Sequence, residues 1–213
     1  MSFSNLIHWS KKHYSNLPWR KNRSPYHTLV SEIMLQQTTV GTVLNHFERF
    51  IHQFPDLQTL AKASEHDILV AWKGLGYYRR AKNLRFAAQD LFTKFGDHIP
   101  QQREELISIK GIGDYTSSAI LSLAYQKREL AVDANLERVI SRLYGIQIPK
   151  GPKLIKEIRR QFESKEILKE LTAKNAREMN EALMDLGRVY CQARKANCLN
   201  CPLSDQCVAY REE

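Results

Sequence analysis

The first 190 residues contain no cysteine, and all four cysteines fall between positions 191 and 207. The N-terminus, Met-Ser-Phe-Ser-Asn-Leu-Ile-His-Trp, lacks a basic stretch followed by an apolar core, so no secretory signal is expected. Thiols confined in this way in such a chain are not expected to pair as disulfides. No apolar run approaches the length of a membrane span, which points to a cytoplasmic protein with no membrane partner. No segment alternates with period two and β-branched enrichment, so sheets are not expected, and neither an internal repeat nor a low-complexity tract is present. Acidic residues are in short supply: 23 Asp and Glu face 32 Lys and Arg, a formal charge of +9 with a pI near 9.4. This balance favours a polyanionic partner without naming one, since many basic proteins bind none.

What remains is a chain of 213 residues, 43% hydrophobic and 26% charged, long enough for one sizeable domain or two small lobes. Its periodicity is helical. Phe3, Leu6, Ile7, Trp9 and Tyr14 form a rough stripe, which Leu17-Pro18-Trp19-Arg20 breaks. Ser24-Pro25 are good N-cap and first-turn residues for a buried helix carrying Leu29, Val30, Ile33, Met34 and Leu35. Further helices are expected over 39–54, 64–72, 79–95, 104–109, 114–125, 135–144, 152–162 and 175–190, with Gly96 as a stop. The fold class is therefore all-α, about ten short helices. The most polar region, 150–174, reads as a solvated face.

Two carboxylates stand out. Glu32 lies inside the apolar helix after Pro25, where an ionised side chain is costly to desolvate unless paired or functional; the plainer reading is the polar edge of an amphipathic helix. Asp133 follows the apolar pair Ala131-Val132 and precedes a helix starting near Asn135, which it could N-cap whatever else it does. Between them, Gly111 and Gly113 flank Ile112 just before a helical run, so a tight hairpin would open a helix with unpaired N–H groups that bind anions. Alone, two glycines near a helix start are a weak signal.

Cys191, Cys198, Cys201 and Cys207 leave gaps of six, two and five residues. Thiolates that close repel one another and find a common partner in a metal or an iron–sulfur cluster. Zinc accepts four sulfurs too, and spacing alone does not exclude it.

Taken together, these motifs carry a resemblance. The six-two-five cysteine pattern is similar to the [4Fe–4S] loop of the endonuclease III family of DNA glycosylases, and Leu106 to Ala119 resembles that family's helix-hairpin-helix. Leu17-Pro-Trp-Arg20, Ser31-Glu-Ile-Met-Leu-Gln-Gln-Thr38 and Gly74-Leu-Gly-Tyr-Tyr78 together resemble adenine DNA glycosylases of the MutY type, over nearly the whole chain. The resemblance implies two helical lobes with a DNA cleft between them: a six-helix lobe over 24–131, and a cluster lobe built from 1–23 and 132–213. It implies one [4Fe–4S] cluster on the four cysteines rather than zinc, mainly structural, with Arg188, Arg194 and Lys195 on a basic loop. It implies a base-excision-repair enzyme that flips mispaired adenine out of double-stranded DNA, opposite 8-oxoguanine or guanine, and hydrolyses its N-glycosidic bond.

The roles carry over residue by residue. Glu32 is the general acid that protonates adenine N7, with a proton held by burial, and Asp133 stabilises the oxocarbenium-like sugar. Tyr115 hydrogen-bonds into this pair, and Asn135 orders the water network. Tyr115 also stands where bifunctional members carry a lysine nucleophile, and a phenol forms no imine, so strand cleavage is not expected. Trp19, Arg20 and Glu181 match the base pocket. Gln37, Thr38, Leu75 and Tyr77 match the wedge entering the duplex, while Tyr78 is expected in the core. Lys110, Gly111 and Gly113 are expected on DNA phosphates. The protein is expected to act as a monomer in the nucleoid-bearing cytoplasm. Three departures stand against the match: no Nudix-like domain follows Cys207, Asp133-Ala134-Asn135 replaces the usual Asp-Gly-Asn, and Glu137 occupies a position often basic or neutral. The Asp-Ala-Asn variant and Tyr115 also resemble thymine/G mismatch glycosylases, and a non-catalytic DNA-binding module is a third reading.

Overall fold

The computed structural model describes residues 3–212, and among these residues there are helices and turns but no strands. In chain order the α-helices are α1 (Phe3–Tyr14), α2 (Pro18–Lys21), α3 (Pro25–Leu35), α4 (Val40–Gln53), α5 (Leu57–Lys62), α6 (Glu65–Ala71), α7 (Arg79–Phe95), α8 (Arg103–Ile107), α9 (Asp114–Ala119), α10 (Ala134–Tyr144), α11 (Pro152–Glu163), α12 (Ala176–Val189) and α13 (Val208–Arg211). A π-helical turn, Ile120–Ala124, prolongs α9. No helix is long and apolar enough to cross a membrane among the described residues.

Short polar side chains set several of the starts. Ser24, Thr39, Asp56 and Ser64 each accept the N–H three residues on, and Pro25 occupies the first turn of α3. Such caps are worth about 1 kcal/mol each, enough to fix where a marginal helix begins. The three helices absent from the sequence reading, α2, α5 and α13, have four, six and four residues. Elements that short show no periodicity. Pro18 opens α2 instead of only ending α1, and Asp56 was the legible signal for α5.

The chain divides into two compact units, Asn16–Tyr125 and the pair of segments 1–15 and 126–213. These limits differ from the expected 24 and 131 for identifiable reasons. Trp19 is 2% exposed and packs edge-on against Phe47, which ties α2 to α4. At the other limit, the Asn180 amide accepts from the Ala131 N–H at 2.9 Å and donates to the Glu129 carbonyl at 2.9 Å, which ties that segment to α12.

In the contiguous unit, α3 is buried nearly all round and packs on α4, α7, α9 and the π turn. Phe50 and Trp72 meet edge to face beneath α4 and α6. In the terminal unit, α1 lies on α12, α12 on α10, and α10 on α11 and α13. The α10–α12 approach depends on Gly187, where an added Cβ would stand 2.8 Å from Asn135 Cβ. The 150–174 region is not a uniformly solvated face: Leu154, Ile158, Phe162, Ile167, Leu168 and Leu171 are all buried. Its charged residues cover the outside of an amphipathic helix whose inner stripe belongs to the core.

Candidate active site

Glu32 stands midway along α3 and is 2% exposed. Tyr115, in the first turn of α9, donates its hydroxyl proton to Glu32 Oε2 at 2.5 Å, a short bond between the two side chains. Arg23, in the loop before α3, brings Nη1 to 3.7 Å from Glu32 Oε1, with both side chains nearly fully buried. Burial favours the neutral acid and a guanidinium favours the anion, so Glu32 lies between two opposed influences. Arg23 escaped the sequence reading because it precedes the helix and reaches Glu32 only through the fold.

Asp133 belongs to the terminal unit and caps α10. Its Oδ1 accepts the N–H groups of Asn135 at 3.0 Å and Leu136 at 2.7 Å, while Oδ2 accepts the Asn135 side-chain amide at 3.1 Å. Burial pushes the Asp133 carboxyl above its ordinary value, and these bonds, with Arg138, pull in the other direction. The capping role and the placement of a functional carboxylate thus coexist in one side chain. Arg138 holds Asn135: Nη2 donates to Asn135 Oδ1 at 2.9 Å and to the Gly187 carbonyl at 2.8 Å, and Nε to the Cys191 carbonyl at 2.7 Å. Glu137, buried beside it, accepts the Gly151 N–H at 2.6 Å, a purely structural task.

The hairpin between α8 and α9 is anchored by buried Ile109 and Ile112. Gly111 has φ +96°, and an added Cβ would lie 2.8 Å from the Asn83 carbonyl oxygen, so only glycine fits. Gly113 is extended with open space around it, so sterics alone do not demand glycine there. The Lys110 N–H donates to Asp90 Oδ2 at 3.1 Å, and that bond is the main cause of a lowered Asp90 pKa. The Lys110 ammonium rests 4.4 Å from the Phe86 ring centre.

Gln37 and Tyr77 both adopt left-handed backbone, φ 54° and 46°, each at a cost on the order of 1 kcal/mol. Tyr77 is 63% exposed and Tyr78 46%, so Tyr78 is on the surface and not in the core. Leu75, expected on the wedge, is 4% exposed: its side chain fills the core and does not face solvent. Gln37, Thr38, Thr39, Thr42 and the 74–77 loop line a hollow of about 360 Å³. Of the expected base pocket, Trp19 is a core residue and Arg20 is half-buried at the end of α2, whereas half-buried Glu181 lies on α12 in the other unit.

None of the four cysteines is joined in a disulfide, and all lie in a loop of two 3₁₀ turns after α12. Arg142 donates to Cys191 Sγ at 3.5 Å, and Cys207 Sγ donates to the Arg142 carbonyl at 3.5 Å. Burial pushes the Cys201 thiol up to about 11, and Cys191, Cys207 and Cys198 add to the effect, so the four sulfurs feel one another. Among the described residues, no three His, Cys, Asp or Glu side chains are gathered closely enough to hold a metal ion. A set of four mutually repelling soft donors nonetheless fits a group that binds four thiolates at once. Arg188 is engaged internally, paired with Asp185 and stacked on Tyr14, while Arg194 and Lys195 are exposed.

Comparison with known proteins places this geometry. The pattern of the HhH-GPD superfamily base excision DNA repair protein matches residues 30–164. The adenine DNA glycosylase of Buchnera aphidicola subsp. Schizaphis graminum is 36% identical over 198 residues, 93% of this chain and 56% of that protein. The adenine DNA glycosylase of Mycobacterium tuberculosis (strain ATCC 25618 / H37Rv) is 36% identical over 211 residues, 98% of this chain and 67% of that protein. The solved structure of a thermostable thymine-DNA glycosylase aligns with a TM-score of 0.84 at 28% identity, covering 99% of this chain and 95% of that one. The chain spans a little over half the length of the Buchnera relatives it matches, 56% and 60% of two of them. The sequence match and the helical hairpin agree, and the chain belongs to the HhH-GPD superfamily of base excision DNA repair proteins.

Proposed function

We propose that this protein is a monofunctional DNA glycosylase that removes mispaired adenine from double-stranded DNA, opposite guanine or 8-oxoguanine, without cutting the strand. The observation that carries the reading is the buried Glu32 with the Tyr115 hydroxyl on it. An acid so placed protonates N7 of an extruded adenine, so that the base leaves neutral as the C1′–N9 bond breaks. Asp133, ionised, stabilises the positive charge that grows on the deoxyribose, and water adds to C1′. No lysine stands at position 115 to form an imine, which supports hydrolysis over strand scission. The exposed amides of Gly111 and Gly113 and the Lys110 side chain hold backbone phosphates, and Gln37, Thr38 and Tyr77 enter the duplex. Cys191, Cys198, Cys201 and Cys207 would hold one [4Fe–4S] cluster, which supplies structural cross-linking of the loop bearing Arg194 and Lys195 and no step of the reaction. The protein works as a monomer on cytoplasmic DNA.

Duplexes bearing A opposite 8-oxoguanine, A opposite G and T opposite G, incubated with the enzyme and then treated with alkali, test this reading. Adenine release with strands intact before alkali is the expected result. The likeness to a thymine-DNA glycosylase, at 28% identity, favours one second reading, release of thymine opposite guanine; thymine release without adenine release would establish it instead. Iron analysis and broad absorption near 400 nm, against a colourless zinc protein, test the cofactor.

A further inference from the structure

Arg80, in the first turn of α7, is 7% exposed and takes no part in the chemistry above. No carboxylate pairs with it among the described residues. Its guanidinium is surrounded by backbone oxygens instead: Nη1 donates to the carbonyls of Ile33 at 3.1 Å and Met34 at 2.6 Å, and Nη2 to those of Leu75 and Gly76, both at 3.0 Å. Nη2 also reaches Thr38 Oγ1 at 2.9 Å, and the Thr38 hydroxyl leans on the Leu75 carbonyl at 3.4 Å. The guanidinium carbon lies 5.4 Å from the Trp72 ring centre and 5.7 Å from that of Tyr77. One buried cation thus ties together the end of the Glu32 helix, Thr38 and the 74–77 loop, and two of the non-glycine residues in left-handed backbone, Gln37 and Tyr77, adjoin groups that it holds.

These bonds have a second effect. In a trans peptide the N–H points opposite to the C=O of the same unit. Carbonyls 75 and 76 turned inward to Arg80 therefore turn the N–H groups of Gly76 and Tyr77 away from it, and neither N–H is donated to another protein group among the described residues. The hollow lined by Gln37, Thr38, Gly76 and Tyr77 is left with outward donors backed by a positive charge without a counter-ion. An ammonium could not do this, because a point charge with three donors does not span acceptors on three segments as a planar fork does.

We infer that Arg80 is a positioning residue that presets the Gly76–Tyr77 backbone, with the Thr38 hydroxyl pinned beside it, as a donor face for the acceptor edge of the base opposite the excised one. The inference rests on the wedge reading given above, so its test separates the two. In a Glu32→Gln background that binds without turnover, dissociation constants are measured for duplexes differing only in A·G against A·T at one position. The parent protein is expected to prefer A·G clearly. R80M should reduce that preference at least tenfold through weaker A·G binding, with A·T binding within about twofold, and R80K should not rescue it. Thr38→Val, which removes one acceptor and leaves the buried cation in place, should reduce the preference by a smaller factor and serves if R80M does not fold. Equal weakening on both duplexes, or rescue by R80K, would mean bulk stability or charge alone and overturns the inference. A parent with no preference removes the wedge reading and the inference with it; a parental preference retained in R80M and T38V overturns the inference alone.

Discussion

At the scale of single residues, the chemistry turns on who holds a proton. Glu32→Gln keeps the shape and loses the acid, and single-turnover base release should fall by about 10²–10⁴ while duplex binding persists. Tyr115→Phe removes one hydrogen bond to a buried carboxyl, which at roughly 1.5–3 kcal/mol corresponds to a 10- to 100-fold slower step in the same assay. Asp133 behaves in the opposite sense. Its folded-state pKa is raised above 3.8, so its contribution to stability is complete below that value and is lost as pH rises through the folded pKa. Activity needs the ionised form and should rise with pH over the same interval. Asp133→Asn, which still caps α10, should therefore be at least as stable as the parent in thermal melts at pH 7, yet more than ~10²-fold slower. Asn135→Ala removes a hydrogen bond that favours the carboxylate, and the acid limb of the pH–rate profile should move to higher pH; a limb that moves down or stays would exclude Asn135 from this role.

At the scale of elements, the hairpin offers a paired comparison. Gly111→Ala forces a Cβ against the Asn83 carbonyl at positive φ and should cost about 1–3 kcal/mol in denaturant melts, together with weaker duplex binding. Gly113→Ala, in open space at ordinary φ, should change stability by under about 0.5 kcal/mol. The spacing that made the hairpin legible could not separate these two glycines, since sequence reports composition and not what a Cβ would meet. Helices with a strong cap and a full apolar stripe, such as α3 and α4, were legible before any coordinates. Less so was the π turn after α9, whose Ile-Leu-Ser-Leu-Ala reads as ordinary helix because the wider turn is decided by packing. Leu75 and Tyr78 exchanged expected places for a similar reason: the left-handed turn at Tyr77 re-aims its neighbours, and nothing in Gly-Leu-Gly-Tyr-Tyr announces that turn. One signal was present and missed. Arg80 shares the stripe of Leu84, Ala87 and Leu91 on α7, and an arginine at a core position marks a buried, multiply bonded guanidinium.

At the scale of the whole molecule, a formal charge of +9 bears on the partner. Affinity for an undamaged duplex should fall at least about tenfold between 50 and 200 mM salt, with a log–log slope near −0.9 per phosphate engaged. A flat dependence would mean that the charge lies elsewhere than on the DNA-binding face.

The discontinuity of the terminal unit has a consequence for how the chain comes into being. During synthesis the Asn16–Tyr125 unit emerges whole and can consolidate early, because every segment it needs is already outside the ribosome. Helix α1 has its main partner in α12, far along the chain, and until α12 is made it remains an amphipathic strip without that cover. The late step of folding in this unit is thus the docking of α1 on α12, a long-range closure that loop entropy makes slow. A rearranged gene that starts at Gln126 and runs through the terminal segments into the contiguous unit would convert that closure into a local one.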